Sequence, residues 1–252
     1  MKAMVFAAGV GSRLKPFTDH HPKALVPVGG VPMLQRVIEK IAAVGIKDVV
    51  VNVHHFADQI TDFLSRNNNF GLDIVVSDER ELLLDTGGGL LHAESFLACD
   101  DEPILLHNVD ILTDFSLSAM IKAYNSYGAD ALLMVGKRES SRQLYVSTDS
   151  RLVGWQNLST GQTKPKGFSL QSDGLNACAF GGVHIISTAL FPLLRKYAMT
   201  NGSVFSIMPF YLDNLEQLDI ETYMPVDNYM WHDVGSAGKL AAANKSIGGL
   251  NL

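Results

Sequence analysis

Arg13 and Lys23 are the first side chains with chemistry to offer, because each follows a feature that lets an anion approach the backbone. Residues 3–8 form an apolar run, AMVFAA, and Gly9, Gly11 and Arg13 come directly after it. Gly9 and Gly11 permit positive φ and close approach of a bulky ligand. The main-chain N–H groups of such a loop, from Ala8 onward, can cradle phosphate. Arg13 adds a planar fork for phosphate oxygens and Lys23 a point charge. Two familiar phosphate motifs fail here. The dinucleotide fingerprint needs a third glycine where Leu14 stands, and a Walker A loop starting at Gly9 needs Gly-Lys-Ser/Thr where the chain has Leu14, Lys15 and Pro16. The first failure disfavours an NAD-dependent oxidoreductase.

Two carboxylates close apolar runs. Asp110 ends PILLHNVD, and Asp233 precedes Gly235 near the end of the chain. Ligand sites of open α/β sheets lie at strand ends, so both can serve as ligand groups rather than as plain caps of the following turn or helix. Thr86, Gly87, Gly88 and Gly89 are consecutive. Glycines weaken a helix start, which makes close approach of a ligand the expected reason for them. His20-His21 and His54-His55 are poor metal pairs, since neighbours on an extended strand face opposite ways. His232 lies beside Asp233, and Lys164 and Lys166 sit where a hairpin tip can reach a sugar phosphate.

These groups need a frame to hold them. Apolar runs at 3–8, 48–53, 72–77, 103–110 and 130–136 alternate with helical periodicity at 33–45, 56–64, 88–97 and 116–127. Strands separated by helices of about ten residues imply crossovers and a mainly parallel sheet. Residues 142–173 break the rhythm: they are short, polar and rich in Gly, Ser and Thr, and read as small antiparallel strands placed over the ligand edge of the sheet. A strand at 177–187, helices at 188–197 and 204–215, a strand to Asp233 and a helix at 236–246 complete the pattern.

Composition narrows the partners. A chain of 252 residues with 47% hydrophobic and 18% charged residues can bury a sizeable core. Its net charge of −6 argues against a broad nucleic-acid footprint. Cys99 and Cys178 belong to no CxxC pair and read as free thiols. The apolar start is too short for a signal peptide, and no run approaches the ~20 residues of a membrane helix. The expectation is a cytoplasmic protein without membrane partners.

Together the motifs resemble those of the sugar-phosphate nucleotidylyltransferases, the NDP-sugar pyrophosphorylases. The opening A-A-G-x-G-S-R-L-x-P-x-T followed by P-K-x-L-V-P-V is similar to their signature. LDTGGGLLHA at 84–93 is similar to their second glycine-rich loop, LLHNVDILTDF at 105–115 to the strand ending in a metal-binding aspartate, and WHDVGSAGKLAAA at 231–243 to the segment with a second metal ligand. Four motifs in order across nearly the whole chain make the match specific. It is nearest in character to short members acting on N-acetylmuramate, mannose or heptose 1-phosphate, which lack a β-helix domain.

The resemblance implies one domain over 1–252, a three-layer Rossmann-like fold with a mainly parallel mixed sheet and a small β insertion. Its nucleotide-binding half spans about 1–138 and its sugar-binding half about 139–252. Arg13, Lys23 and Asp110 would be catalytic. Ala8, Gly9, Gly11, Thr86, Gly87, Gly88 and Asn108 would bind the nucleotide, and Asn108, Phe180 and Gly182 the sugar. Asp110 and Asp233 would hold Mg²⁺. The implied partners are a sugar 1-phosphate and UTP, GTP or dTTP, with a lean to UTP, and a second copy of the chain as a homodimer. A catalytically weak nucleotide-sugar-binding regulator of the same fold is the alternative. Its support is one departure: Val109 stands where the family usually has glycine, so this backbone is expected to be ordinary extended strand.

Overall fold

The computed structural model describes residues 1–170, 174–226 and 228–248. The strands are β1 (Lys2–Phe6), β2 (Pro27–Val28), β3 (Val31–Pro32), β4 (Asp48–Val53), β5 (Asp73–Asp78), β6 (Ile104–Asn108), β7 (Ile111–Thr113), β8 (Ala131–Gly136), β9 (Arg142–Val146), β10 (Leu152–Asn157), β11 (Thr163–Lys164), β12 (Asn176–Ile186), β13 (Ile220–Tyr223) and β14 (Trp231–Asp233). The helices are α1 (Met33–Ala42), α2 (Ala57–Arg66), α3 (Asp85–His92), α4 (Glu94–Leu97), α5 (Leu117–Tyr127), α6 (Phe191–Asn201), α7 (Ile207–Asp213) and α8 (Ala237–Gly248).

The main sheet runs β13-β8-β12-β6-β1-β4-β5. β1 is parallel to β4 and β6, β4 to β5, and β8 to β13, whereas β12 is antiparallel to both β6 and β8. The expected mainly parallel mixed sheet is therefore present. Side chains alternate across it, as the period of two requires. Ala3 and Val5 of β1 face a core shared with α1, α2, α5 and α8, and Met4 and Phe6 face a second core shared with α3, α6 and α7. Helices cover both faces, which is why the strands read as continuous apolar runs. Among the described residues no helix is long and apolar enough to cross a membrane.

The polar stretch folds as anticipated into small antiparallel strands. β11, β10 and β9 form a meander that joins the sheet through the first residues of β12, with Asn176–Cys178 opposite Leu144–Val146. Residues 171–173 of that stretch lie outside the described residues. β12 then kinks between Phe180 and His184. There Gly182 takes φ +77°, and a Cβ on it would stand 2.5 Å from Ile111 Cγ1.

Several boundaries differ from expectation, two of them beside the site. The helix expected at 88–97 starts at Asp85 and is broken near Ala93 into α3 and α4. The strand expected to reach Asp110 stops at Asn108, because residues 109–110 form a tight turn into β7. Val109 is accordingly in a turn rather than extended strand, although its φ is not left-handed.

The sheet centre holds two buried histidines. Desolvation holds His107 down at about 4, aided by the charge of Lys40, and His184 down at about 3, aided by His107. In the unfolded chain both titrate near ~6.5. Their depressed values mean the unfolded chain binds more protons, so this stability is intact above about pH 6.5 and is lost as pH falls. Together they cost roughly 3 kcal/mol between pH 7.5 and 5.5. Urea unfolding at those two pH values should show the drop, and His184→Gln should remove about half of it. An unchanged pH dependence in the variant would refute the assignment.

Candidate active site

The loop after β1 is fixed by a polar residue inside an apolar strand. Asn52 of β4 is buried, and its Oδ1 accepts hydrogen bonds from Ala7 N at 2.7 Å and Ala8 N at 3.3 Å. Its amide donates to Glu79 Oε1 at 2.7 Å, and Glu79 Oε2 accepts from Leu84 N at 3.1 Å. One buried network thus ties the glycine loop to the segment entering α3. Gly11 needs to be glycine twice over: its φ is +69°, and a Cβ would stand 2.8 Å from Lys23 Cβ. Gly9 has neither constraint, since a Cβ there would meet only Lys23 Cδ at 3.8 Å. Its open face is available to a ligand.

These segments enclose a cavity of about 350 Å³ at the carboxyl ends of β1 and β6. Ala8, Gly9, Lys23, Asn52, Thr86, Asn108, Val109 and Asp110 are on its wall, with Asp85 and Val204 closing the far side. This is the crevice where open α/β sheets bind ligands. Lys23 Nζ forms an ion pair with Asp110 Oδ2, and both side chains are largely shielded.

Asp233 reaches the same region by a different route. β14 does not join the main sheet; it pairs antiparallel with β7, with Asp233 opposite Ile111. Val234 N donates to Asp110 O at 2.8 Å. The two aspartates are therefore brought together by a two-stranded ribbon, not by strands of one sheet as the sequence suggested. Asp233 pairs with Lys239 of α8. Arg13 is exposed and, like Asp233, is not on the cavity wall, but a Cβ on Gly235 would lie 3.3 Å from Arg13 Nη2 and 2.7 Å from Asp233 Oδ1. The absence of a side chain at Gly235 lets both groups approach that turn.

The metal expectation can be tested against this donor set. Asp110 in the β6–β7 turn and Asp233 at the end of β14 would supply hard oxygen donors, and each is charge-compensated by a lysine. Among the described residues no group of three or more His, Cys, Asp or Glu is placed to hold a metal. Two carboxylates with positions left for phosphate oxygens and water fit Mg²⁺, which dehydrates reluctantly.

The glycine run has another explanation than the one expected. Gly87, Gly88 and Gly89 are buried within α3 and are absent from the cavity wall, where Thr86 represents the run. Gly87 N and Gly88 N both donate to Phe205 O, at 2.9 and 3.1 Å. A Cβ would meet the Phe205 ring at 2.4 Å from Gly87, Ser203 O at 2.1 Å from Gly88, and Glu79 Oε1 at 2.6 Å from Gly89. The close approach they permit is by the chain's own backbone and side chains. Gly88→Ala gains up to ~1 kcal/mol of helix propensity, but it drives a methyl into a backbone carbonyl that cannot rotate away. The expected net loss is about 1–3 kcal/mol, read as a lower thermal midpoint. An unchanged or higher midpoint would sink the packing account.

Of the sugar-side candidates, Phe180 and Asn108 line a smaller cavity of about 250 Å³ that shares Thr86 and Asn108 with the first. Gly182 is packed against Ile111 and Asn108 at the kink of β12 and lines neither cavity. Lys164 is held at 2.6 Å by Asp213 of α7. His54 Nδ1 bonds the Glu79 carbonyl oxygen at 2.7 Å. Sequence reasoning missed Asn52 and Glu79, although an asparagine inside DVVVNV was a visible signal, and it missed Arg142, Trp155 and His184 around the smaller cavity.

The fold is that of an open α/β protein with a carboxylate-bearing cavity at its strand ends. Residues 2–248 match the nucleotidyl transferase family, and the chain belongs to it. It is 36% identical over 145 residues to the N-acetylmuramate alpha-1-phosphate uridylyltransferase of Caulobacter vibrioides, covering 55% of this chain and 59% of that protein. It is 28% identical to the Neisseria meningitidis protein of the same name, over 98% of this chain and 99% of that one. It is 36% identical to a mannose-1-phosphate guanyltransferase of Gibberella zeae over 55% of this chain. The chain spans 59% and 38% of the length of the Caulobacter and Gibberella relatives. The solved structure of an apo UDP-glucose pyrophosphorylase shares the fold with a TM-score of 0.77 at 17% identity, covering 98% of each chain.

Proposed function

We propose that this protein transfers a nucleotidyl group from a nucleoside triphosphate, with UTP preferred, to a sugar 1-phosphate, releasing pyrophosphate. The observation that carries the reading is the convergence of the glycine loop, Lys23 and Asp110 on one cavity, with Asp233 brought alongside by the β7–β14 ribbon. The oxygen of the sugar 1-phosphate attacks the α-phosphorus and the bond to the β-phosphate breaks. That nucleophile is already ionised at neutral pH, so no general base is required. The main difficulty is repulsion between two anions, and positioning with electrostatics meets it. Lys23, on the cavity wall, would neutralise the α-phosphate and the incoming phosphate, and Arg13 the leaving pyrophosphate. Mg²⁺ held by Asp110 and Asp233 would act as Lewis acid and template. Asn52 fixes the start of the loop by taking the N–H groups of Ala7 and Ala8 itself, so the phosphates are left to N–H groups from Gly9 onward.

The lean to UTP is supported by the full-length similarity to the Neisseria uridylyltransferase. Similarity to guanylyltransferases keeps GTP as the competitor. The test is a matrix of UTP, GTP and dTTP against sugar 1-phosphates, read as pyrophosphate released. UTP is expected to give the highest kcat/KM, and no release from any pair would overturn the reading. Val109 on the cavity wall is the one departure behind the alternative reading, a nucleotide-sugar sensor, which predicts binding of nucleotide sugar with no turnover.

A further inference from the structure

β14 carries Asp233, yet among the described residues its backbone pairs with β7 and not with the main sheet. Other contacts must set where it stands against that sheet. Trp231, two residues before Asp233, supplies one. Its Nε1–H donates to Gly181 O at 2.9 Å, at the kink of β12. The next residue of the kink, Gly182, packs on Ile111, which lies opposite Asp233 in the ribbon. The kink therefore touches both strands of the ribbon that brings the two aspartates together.

Arg138, just beyond the end of β8, closes this joint. Its Cζ lies 3.9 Å from the centroid of the Trp231 ring, well inside the reach of a cation–π contact. Its Nη2 donates to Ala179 O at 3.1 Å and its Nη1 to Tyr229 Oη at 3.4 Å. Gly136 makes room for it, since a Cβ there would lie 2.3 Å from Arg138 Nη1. The guanidinium is half-buried, and desolvation lowers its pKa. Among the described residues no carboxylate acts on it. Packing alone is the plain role of an arginine laid along a sheet. The contact chosen here departs from that role. A charge taken partly out of water costs free energy, and the group that offsets it is the face of Trp231, on the strand of Asp233.

We propose that Arg138 is a positioning residue for Asp233. By holding Trp231 against the kink of β12 it fixes where β14 presents its carboxylate, and so sets the affinity for a divalent cation. The inference rests on the transferase reading above, which gives Asp233 to the metal. Groups that orient a metal ligand carry a good part of metal affinity. Arg138 lines neither cavity, so its removal leaves the walls around nucleotide and sugar in place.

The experiment measures direct Mn²⁺ binding to the full, nucleotide-free chain, with Mg²⁺-titrated kinetics beside it. Arg138→Gln should weaken Mn²⁺ binding by about 5- to 30-fold. The Mg²⁺ needed for half-maximal rate should rise in proportion, with KM for the nucleotide within about threefold of the parent. Arg138→Lys keeps a cation over the ring and should recover part of the loss. Trp231→Phe keeps a ring and removes the Nε1–H, and should weaken Mn²⁺ binding in the same direction. It carries the test if the thermal midpoint shows that Arg138→Gln does not fold. In an Asp233→Asn background, Arg138→Gln should change Mn²⁺ binding by less than about twofold, because residues acting through one ligand are not additive. Unchanged Mn²⁺ binding in Arg138→Gln and Trp231→Phe overturns the proposal. So does a fully additive loss in the double variant, a defect confined to KM for the sugar phosphate, or a parent protein that binds no Mn²⁺. If no substrate pair releases pyrophosphate the transferase reading fails, and the Mn²⁺ comparison alone then decides the role of Arg138.

Discussion

Asp110→Asn is expected to lower turnover at least ~10³-fold, about 4 kcal/mol on the barrier, while leaving the fold largely intact. Asparagine keeps the size of the side chain and removes its charge. Asp110 lies in the β6–β7 turn on the cavity wall, so the loss falls on the chemistry more than on the core. The structural cost is an orphaned partner: Lys23 is shielded and its ion pair is with Asp110. Losing a charge-assisted contact to a group this shielded costs about 1–3 kcal/mol, which a domain of ordinary stability of ~5–15 kcal/mol survives. Asp233→Asn should act in the same direction and less severely, because Asp233 is the more exposed carboxylate and its partner Lys239 is half-exposed. The deciding measurement is Mg²⁺-titrated kinetics together with direct Mn²⁺ binding. If either variant keeps the parent rate and metal dependence, that residue is not a ligand.

Most of the fold was legible because burial on both faces leaves a plain trace. DVVVNV is β4 residue for residue, and MLQRVIEKIA carries the helical spacing of α1 on Val37, Ile38 and Ile41. What escaped were elements whose partners are distant in sequence. β7 and β14 are three residues each and pair across more than a hundred residues of chain. Short strands have no period of their own, so the ribbon that joins the two aspartates could not be read from spacing.

The site was legible in residue types and less so in reasons. Gly9 and Gly11 look alike in sequence, yet Gly11 is required by its own backbone and by Lys23 and Thr18, while Gly9 faces the cavity. The run from Gly87 to Gly89 looked like a ligand loop because sequence does not show that residues 203–205 pass within contact of it. Val109 raised the question of a distorted site. The turn it occupies avoids left-handed φ, and Val109 N donates to Phe6 O at 3.2 Å. The departure is therefore absorbed by an ordinary turn that still presents Asp110 to the cavity.

Arg13→Ala should cost about 2–4 kcal/mol of transition-state stabilisation, the scale of a lost electrostatic donor. Arg13 belongs to a one-turn helix, Ser12–Leu14, that is entered through left-handed Gly11 and anchored by buried Leu14. The guanidinium is exposed and has no hydrogen-bond or ion-pair partner among the described residues. Removing it breaks no hydrogen bond or ion pair among the described residues, so the thermal midpoint should stay within the ~0.5 kcal/mol typical of surface changes. The proposed role is on the leaving pyrophosphate, where charge increases as the bond breaks. A group serving developing charge lowers kcat when removed, whereas one serving uniform binding raises only KM. Arg13→Ala should therefore show its loss mainly in kcat. Arg13→Lys should recover part of it, since an ammonium keeps the charge without the planar fork. Parent activity in Arg13→Ala would remove Arg13 from the mechanism, and a loss confined to KM for the nucleotide would move it from the leaving group to ground-state binding.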